Sequence, residues 1–142
     1  MADWMETHRA VVFPWNCDLM GHLNVRWYAH FFDDAGFHLW SRIGLSHATL
    51  AKRGLATVIA TNTTEFLHEL RAGELAVVES AFTRLGGKSL DARHRMKNAE
   101  TGALCATQHA VQVFFDPEAR RPCPIPDDIR AALEAALVAP ES

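Results

Sequence analysis

The chain has 142 residues, 49% of them hydrophobic and 22% charged, a balance that fits one globular domain over residues 1–142 with a real buried core. The formal net charge of -3 gives no electrostatic reason to expect nucleic acid or an anionic membrane as a partner. No apolar run approaches the ~20 residues of a membrane-spanning helix, and the first residues lack a signal peptide's apolar core.

The three cysteines, Cys17, Cys105 and Cys123, are odd in number, far apart and form no CxxC pair. That argues against a disulfide scaffold or a structural zinc site and points to a reducing cytoplasm.

In chain order, Ala10-Val11-Val12-Phe13 is a short β-prone run ended by Pro14, and it predicts a first strand within residues 8–15. An irregular loop follows, with Asp18, Gly21, His22 and Asn24. Asn24 is a good N-cap type, because its side-chain oxygen can accept from free amides of a first helical turn. The longest helical pattern then runs to Ile43. Arg26, His30, Asp33, Asp34, Ser41 and Arg42 form its polar stripe; Trp27, Tyr28, Phe31, Phe32, Ala35, Leu39, Trp40 and Ile43 form a broad apolar surface. An apolar face this wide predicts a helix wrapped by a sheet. Gly36 inside it costs about 1 kcal/mol against Ala, so it predicts close packing. Gly44 reads as the C′ residue, and residues 46–53 as a short helix capped by Ser46 and closed by Gly54.

From residue 56 the pattern changes to strands. Residues 56–70 are rich in Thr, Val and Ile, 71–73 read as a turn, and 74–85 as a second long strand. Gly86-Gly87 signals a hairpin. Residues 88–98 alternate, with Leu90, Ala92 and Met96 on one face and Asp91, Arg93, Arg95 and Lys97 on the other. A turn at 100–102 leads to the last long strand at 103–115. Three successive hairpins predict an antiparallel meander. A proline-rich connector at 120–126 precedes a terminal helix at 127–137, within the 126–138 segment. The class is α+β: an antiparallel sheet of about five strands curled around one long helix.

The chemistry lies at the loop–helix junction. A carboxylate just before a helix whose N-terminal amides point outwards can attack or take a proton while the amides hold a developing oxyanion. Asp18 is therefore a candidate catalytic group, although Asp is also common as a loop cap. His22 is a candidate for orienting Asp18 or a water, or a structural histidine. Cys17 would need a partner that stabilises thiolate, and only His22 is near. Among the eight histidines, His22, His30 and His38 lack a convincing ligand spacing, and HExxH is absent, so no metal is expected.

Asp18-Leu19-Met20-Gly21-His22-Leu23-Asn24, then Tyr28, then Asp33-Asp34-Ala35, resembles the hotdog-fold acyl-CoA thioesterases of the 4-hydroxybenzoyl-CoA thioesterase type. Gly73-Glu74, Leu85 to Ser89 and Arg121-Pro122 to Pro126 fall where that family has hairpin turns and a terminal proline stretch. The resemblance implies a hotdog fold and a homodimer or homotetramer with active sites between subunits. It implies an acyl-CoA substrate, with coenzyme A part of that substrate and no separate cofactor. By motif position Asp18 is the catalytic carboxylate, and the Val25 amide polarises the thioester carbonyl. Asp33 falls where some members touch the acyl group. Arg84 and Lys88, beside the glycine hairpin, are candidates for the coenzyme A phosphates.

The activity to expect is hydrolysis of a small or medium acyl-CoA to acid and CoA. The alternatives are a hotdog dehydratase acting on hydroxyacyl thioesters and a non-catalytic acyl-CoA-binding module. Asn24-Val25-Arg26-x-Tyr28 also resembles thioesterase domains found with carnitine-degradation enzymes, which implies betainyl-CoA as a candidate. Trp15, Trp27 and Tyr28 would then wall a trimethylammonium group, through cation–π attraction.

Overall fold

The computed structural model describes residues 2–139. The chain opens with β1 (Met5–Val11), makes one 3-10 turn at Pro14–Asn16, and enters α1 (Val25–Arg42). There follow α2 (His47–Lys52), β2 (Ala56–Phe66), β3 (Leu75–Leu85), β4 (Ser89–Asn98) and β5 (Leu104–Asp116). The two-residue β6 (Arg121–Pro122) and α3 (Asp127–Ala136) complete the described residues.

The strands form one antiparallel sheet in the order β1-β3-β4-β5-β2, with β6 beside β5. Only β3, β4 and β5 make a meander. The expected hairpin at residues 71–73 is instead the end of a crossover. Leu67 and His68 N–H both donate to the Cys105 carbonyl, at 2.8 and 3.1 Å, and the chain then leaves β5. Leu70 is fully buried and its carbonyl accepts from Leu23 N–H at 2.7 Å, while Gly73 N–H reaches the Val12 carbonyl at 2.7 Å. β1 thereby takes the place beside β3, and β2 is left at the far edge.

β1 also begins earlier than its apolar run suggests. Its inward residue is Thr7, 6% exposed, at a register shift between Glu6 and His8. A polar core residue with a partner of its own breaks the alternation that marks a strand. Pro14 lies outside the sheet, in the 3-10 turn, where its missing N–H costs nothing.

α1 lies over β1, β3 and β4. Tyr28, Phe31, Phe32, Ala35, Leu39 and Trp40 are its buried residues, all from the broad apolar surface. Burying each large side chain contributes about 1.5–3 kcal/mol. α3 buries Ile129, Leu133 and Ala136 at the other end of the core. The helix caps are those the sequence indicates: Asn24 on α1, Ser46 on α2, and Gly44 and Gly54 at φ of 77° and 70°.

Gly36 departs from expectation, since a Cβ there would meet nothing within 4 Å. It opens space rather than permitting close contact. That space belongs to the half of the concave sheet face that α1 leaves uncovered, where Ile59, Phe66 and Phe37 remain exposed.

Candidate active site

Cys17 and Leu23 pair as an isolated antiparallel bridge, and the chain between them folds into a tight loop. Asp18 N–H donates to the His22 carbonyl at 2.8 Å, and Gly21 N–H to the Asp18 carbonyl at 3.0 Å. Gly21 sits at φ of 80°, a left-handed conformation that disfavours any residue with a Cβ. The loop turns the Asp18 carboxylate back on itself. Its Oδ1 accepts from Met20 N–H at 2.8 Å and His22 N–H at 3.3 Å. Among the described residues nothing hydrogen-bonds Oδ2, and Asp18 is exposed.

Two residues on, Asn24 caps α1. Its Oδ1 accepts from Arg26 N–H at 3.1 Å and Arg26 Nε at 3.2 Å, and its carbonyl accepts from Trp27 N–H at 2.9 Å. The Val25 N–H is left without a protein acceptor among the described residues, at the positive end of an 18-residue helix. Asn16, which the sequence reading passed over, holds the junction. It is 4% exposed, its Oδ1 accepts from Phe13 N–H at 2.9 Å, and its carbonyl accepts from Asn24 N–H at 2.8 Å.

The His22 ring makes no hydrogen bond to Asp18. Its Nε2 lies 3.0 Å from Glu69 Oε2, and only its backbone N–H reaches Asp18. Glu69 had no motif to mark it. Tyr28 is buried beside these groups. Burial, with the fields of Cys105, Glu69 and Asp18 adding to it, pushes its phenol up to about 12, so it is a permanent donor. The Cys17 thiol donates to the Phe13 carbonyl at 3.5 Å.

A cavity of about 380 Å³ runs along α1. Arg26, Ala29, His30, Asp33 and Gly36 form its helical wall, at the spacing of one helix face. Ten residues of helix span ~15 Å, so the groove reaches from the first turn of α1 to its middle. Asp33 is thus placed beside a space large enough for a small acyl group.

The other expected site residues are not gathered here. Trp15 is 68% exposed and stacks on Phe13 with centroids 4.3 Å apart. Trp27 meets His30 and Phe31, while Tyr28 meets Phe66 edge-on. Among the described residues no ring contact joins these into a cage. Arg84 lies at the far end of β3, ~30 Å along the strand from the Asp18 end. There its Nε donates to Asp91 Oδ1 at 2.8 Å and its Nη2 to Ser89 Oγ at 3.0 Å. It lines a separate groove of about 700 Å³ on the convex face. Lys88 is exposed in the same hairpin. Within one chain neither reaches Asp18. Among the described residues no group of three or more His, Cys, Asp or Glu is placed to hold a metal ion, and no helix is long and apolar enough to cross a membrane.

Solved structures share this architecture. That of a predicted thioesterase from Bacillus stearothermophilus matches with a TM-score of 0.81 at 24% identity, covering 98% of this chain and 100% of that one. A 1,4-dihydroxy-2-naphthoyl-CoA thioesterase from Synechocystis matches at 0.80 and 17% identity, covering 92% and 96%. A hypothetical protein from Staphylococcus aureus, solved in complex with CoA, matches at 0.85 and 18% identity, covering 95% and 84%. At such identities the likeness is one of fold, and the fold is the hotdog. Among curated protein sequences none matches the chain. The family model described as the thioesterase-like superfamily matches residues 12–133, which takes in the Asp18 loop, α1 and every strand after β1. The chain belongs to the thioesterase-like superfamily.

Proposed function

We propose that this protein hydrolyses a small or medium acyl-CoA thioester, with Asp18 as the catalytic carboxylate and Val25 N–H polarising the thioester carbonyl. The observation that carries the reading is the division of labour at the α1 N-terminus. Asn24 takes the Arg26 amide, Asp18 keeps one oxygen free, and the Val25 amide is unclaimed. A carbonyl oxygen drawn to that amide would feel the helix dipole as it becomes an oxyanion. The free Asp18 oxygen then has two routes: attack on the carbonyl, which expels the CoA thiolate and leaves a mixed anhydride for water to hydrolyse, or removal of a proton from a water that attacks the carbonyl and expels the same thiolate. The two loop hydrogen bonds hold the carboxylate aimed. The S. aureus structure with CoA supports coenzyme A as the carrier, through likeness of fold.

In this reading the working unit is a homodimer. What supports it is the open edge of β2 and the exposed apolar side chains around Asp18, namely Trp15, Leu19 and Met20. A second copy would cover these and could bring its own Arg84 or Lys88 toward coenzyme A.

The test is a panel of straight-chain acyl-CoAs from two to twelve carbons with a thiol reagent. Steady release of free CoA is expected from at least one. Tight binding without release would mark a binding module instead, and neither binding nor release would defeat both readings.

A further inference from the structure

The crossover from β2 to β3 runs beside the Asp18 loop and is tied down at both ends. Before the loop, Leu67 and His68 N–H hold the Cys105 carbonyl of β5. After it, Arg71 N–H donates to Glu74 Oε1 at 2.6 Å, and Glu74 Oε2 accepts from Nδ2 of the buried Asn98 at 3.0 Å. Between these anchors the crossover meets the loop in one isolated antiparallel bridge, His22 with Arg71, in which Leu23 N–H donates to the Leu70 carbonyl. Residues 67–71 are therefore a fixed strap. Glu69 lies in its middle and presents Oε2 to His22 Nε2 at 3.0 Å. An ionised carboxylate only accepts, so Nε2 carries the hydrogen.

The two amides that aim the Asp18 carboxylate are unequal as anchors. Met20 N–H is the shorter bond, 2.8 Å against 3.3 Å for His22 N–H. Yet Met20 sits at the loop tip, where it and Leu19 are 76 and 105% exposed, so the tip has almost no packing within its own chain. The His22 side chain is 19% exposed and fastened to the strap. Of the two donors, His22 is the one whose side chain joins the body of the domain. The ion pair that fastens it does little for stability, because Glu69 is 63% exposed and solvent screens such pairs. What the pair fixes is a direction.

We propose that Glu69 is a positioning residue for thioester hydrolysis: by holding the His22 ring against the strap it fixes the His22 amide, and through that amide the aim of Asp18. The inference rests on the thioesterase reading above. Glu69 itself touches no reacting atom. It acts through one ring and one backbone N–H, and without it the carboxylate is held from an unpacked loop tip alone. A reaction that needs the free Asp18 oxygen within about 3–3.5 Å of its target is sensitive to that loss, because a shift of about 1 Å in a reacting group can cost roughly 100-fold in rate.

The experiment uses whichever straight-chain acyl-CoA of the panel above the wild-type protein hydrolyses fastest. Glu69→Ala should lower kcat about 10-fold and leave KM within ~2-fold, since aim is lost and binding is not. Its melting temperature should stay within about 3 °C of wild type. Glu69→Gln keeps an oxygen for the Nε2 hydrogen and drops the charge, so its kcat should stay within ~3-fold of wild type. His22→Phe keeps the ring's bulk and the backbone N–H but removes that hydrogen, and it should lose as much kcat as Glu69→Ala. The double variant should lose no more than either single one, because both break the same link. Should His22→Phe fail to fold by circular dichroism, the two Glu69 variants decide alone. Wild-type kcat in Glu69→Ala would overturn the inference. So would a Gln variant as impaired as the Ala one, which would make charge the requirement, or losses that multiply in the double variant. A raised KM with kcat unchanged would make Glu69 a binding residue and overturn it too. Each of these leaves the thioesterase reading standing. Hydrolysis of no thioester by the wild type would overturn that reading, and this inference with it.

Discussion

Asp18 holds its carboxylate by two backbone amides and leaves one oxygen unpaired, so charge rather than shape is what a substitution should remove. Asp18→Asn keeps the size and the acceptor for Met20 and His22. Turnover should drop at least ~100-fold, the scale of a lost acid–base or nucleophilic group, with KM little changed. Near-normal turnover in the purified variant would reduce Asp18 to a loop cap. His94 makes a second prediction at this scale. Burial lowers its pKa from 6.5 to about 4. The unfolded chain thus takes up a proton near pH 6.5 that the folded ring refuses until about pH 4. Between those values the unfolded state holds more protons, so stability falls as the pH falls through that window, by about 3 kcal/mol if the full difference is realised. His8 and His47, also lowered by burial, act in the same direction. The urea midpoint should be lower at pH 5 than at pH 7.5, and less so in His94→Asn. A midpoint independent of pH over this range would contradict it.

Among the elements, α1 is the one whose parts were most legible. A cap, a breadth of apolar face and a stop are all local, and Asn24, the Tyr28-to-Trp40 face and Gly44 stand where the residue types place them. What was not legible depends on partners distant in sequence. The crossover after β2 hid behind Arg71-Ala72-Gly73, a good turn whose chemistry does not say which strands it joins. β1 was cut short because Thr7 looks like an exposed residue until Ser80, 73 positions away, completes its hydrogen bond. Glu69 was missed for the same reason: no spacing rule links it to His22 or Asp18. The Asp18 loop itself was readable only through its likeness to a family, since Asp-x-x-Gly alone describes many turns. Gly36 was misjudged because a helical glycine looks the same from sequence whether a neighbour or a cavity lies beyond it. That difference gives an element-scale prediction. Gly36→Ala meets no atom of its own chain within 4 Å, so within that chain it should gain helix propensity of about 0.5–1 kcal/mol without strain. For a chain of this size the melting temperature should rise by about 2–5 °C. A fall in melting temperature would mean that the second copy's α1 packs against Gly36 closely enough to meet the methyl.

For the whole molecule the decisive feature is β2. It pairs with β5 on one side, and on the other side its backbone edge is open among the described residues. Natural edge strands are blunted with Pro, Lys or brevity. β2 has 11 residues, Ala-Thr-Val-Ile-Ala-Thr-Asn-Thr-Thr-Glu-Phe, with neither Pro nor Lys. The concave face beside it is only half covered, with Ile59, Phe66 and Phe37 exposed at 47, 51 and 51%. An edge built to pair and a face short of a second helix call for the same occupant, another copy of the chain related by a two-fold axis. The expected species is a dimer of about twice 15.8 kDa, with β2 of each copy continuing the other's sheet and the second α1 over the uncovered half. Two-fold pairing of antiparallel strands sets the middle of β2 against itself, and Thr61 is the middle residue. Thr61→Lys would place like charges opposite each other and cost up to about 1 kcal/mol, roughly a fivefold weaker dimer. Light scattering over a dilution series should show the wild type dimeric at micromolar concentration and the variant dissociating at higher concentration. Specific activity should follow the dimer fraction, since in the proposed assembly the second copy covers the exposed apolar side chains around Asp18. A wild-type monomer that hydrolyses acyl-CoA at full rate would remove the partner from the active site and leave β2 an edge without a stated purpose.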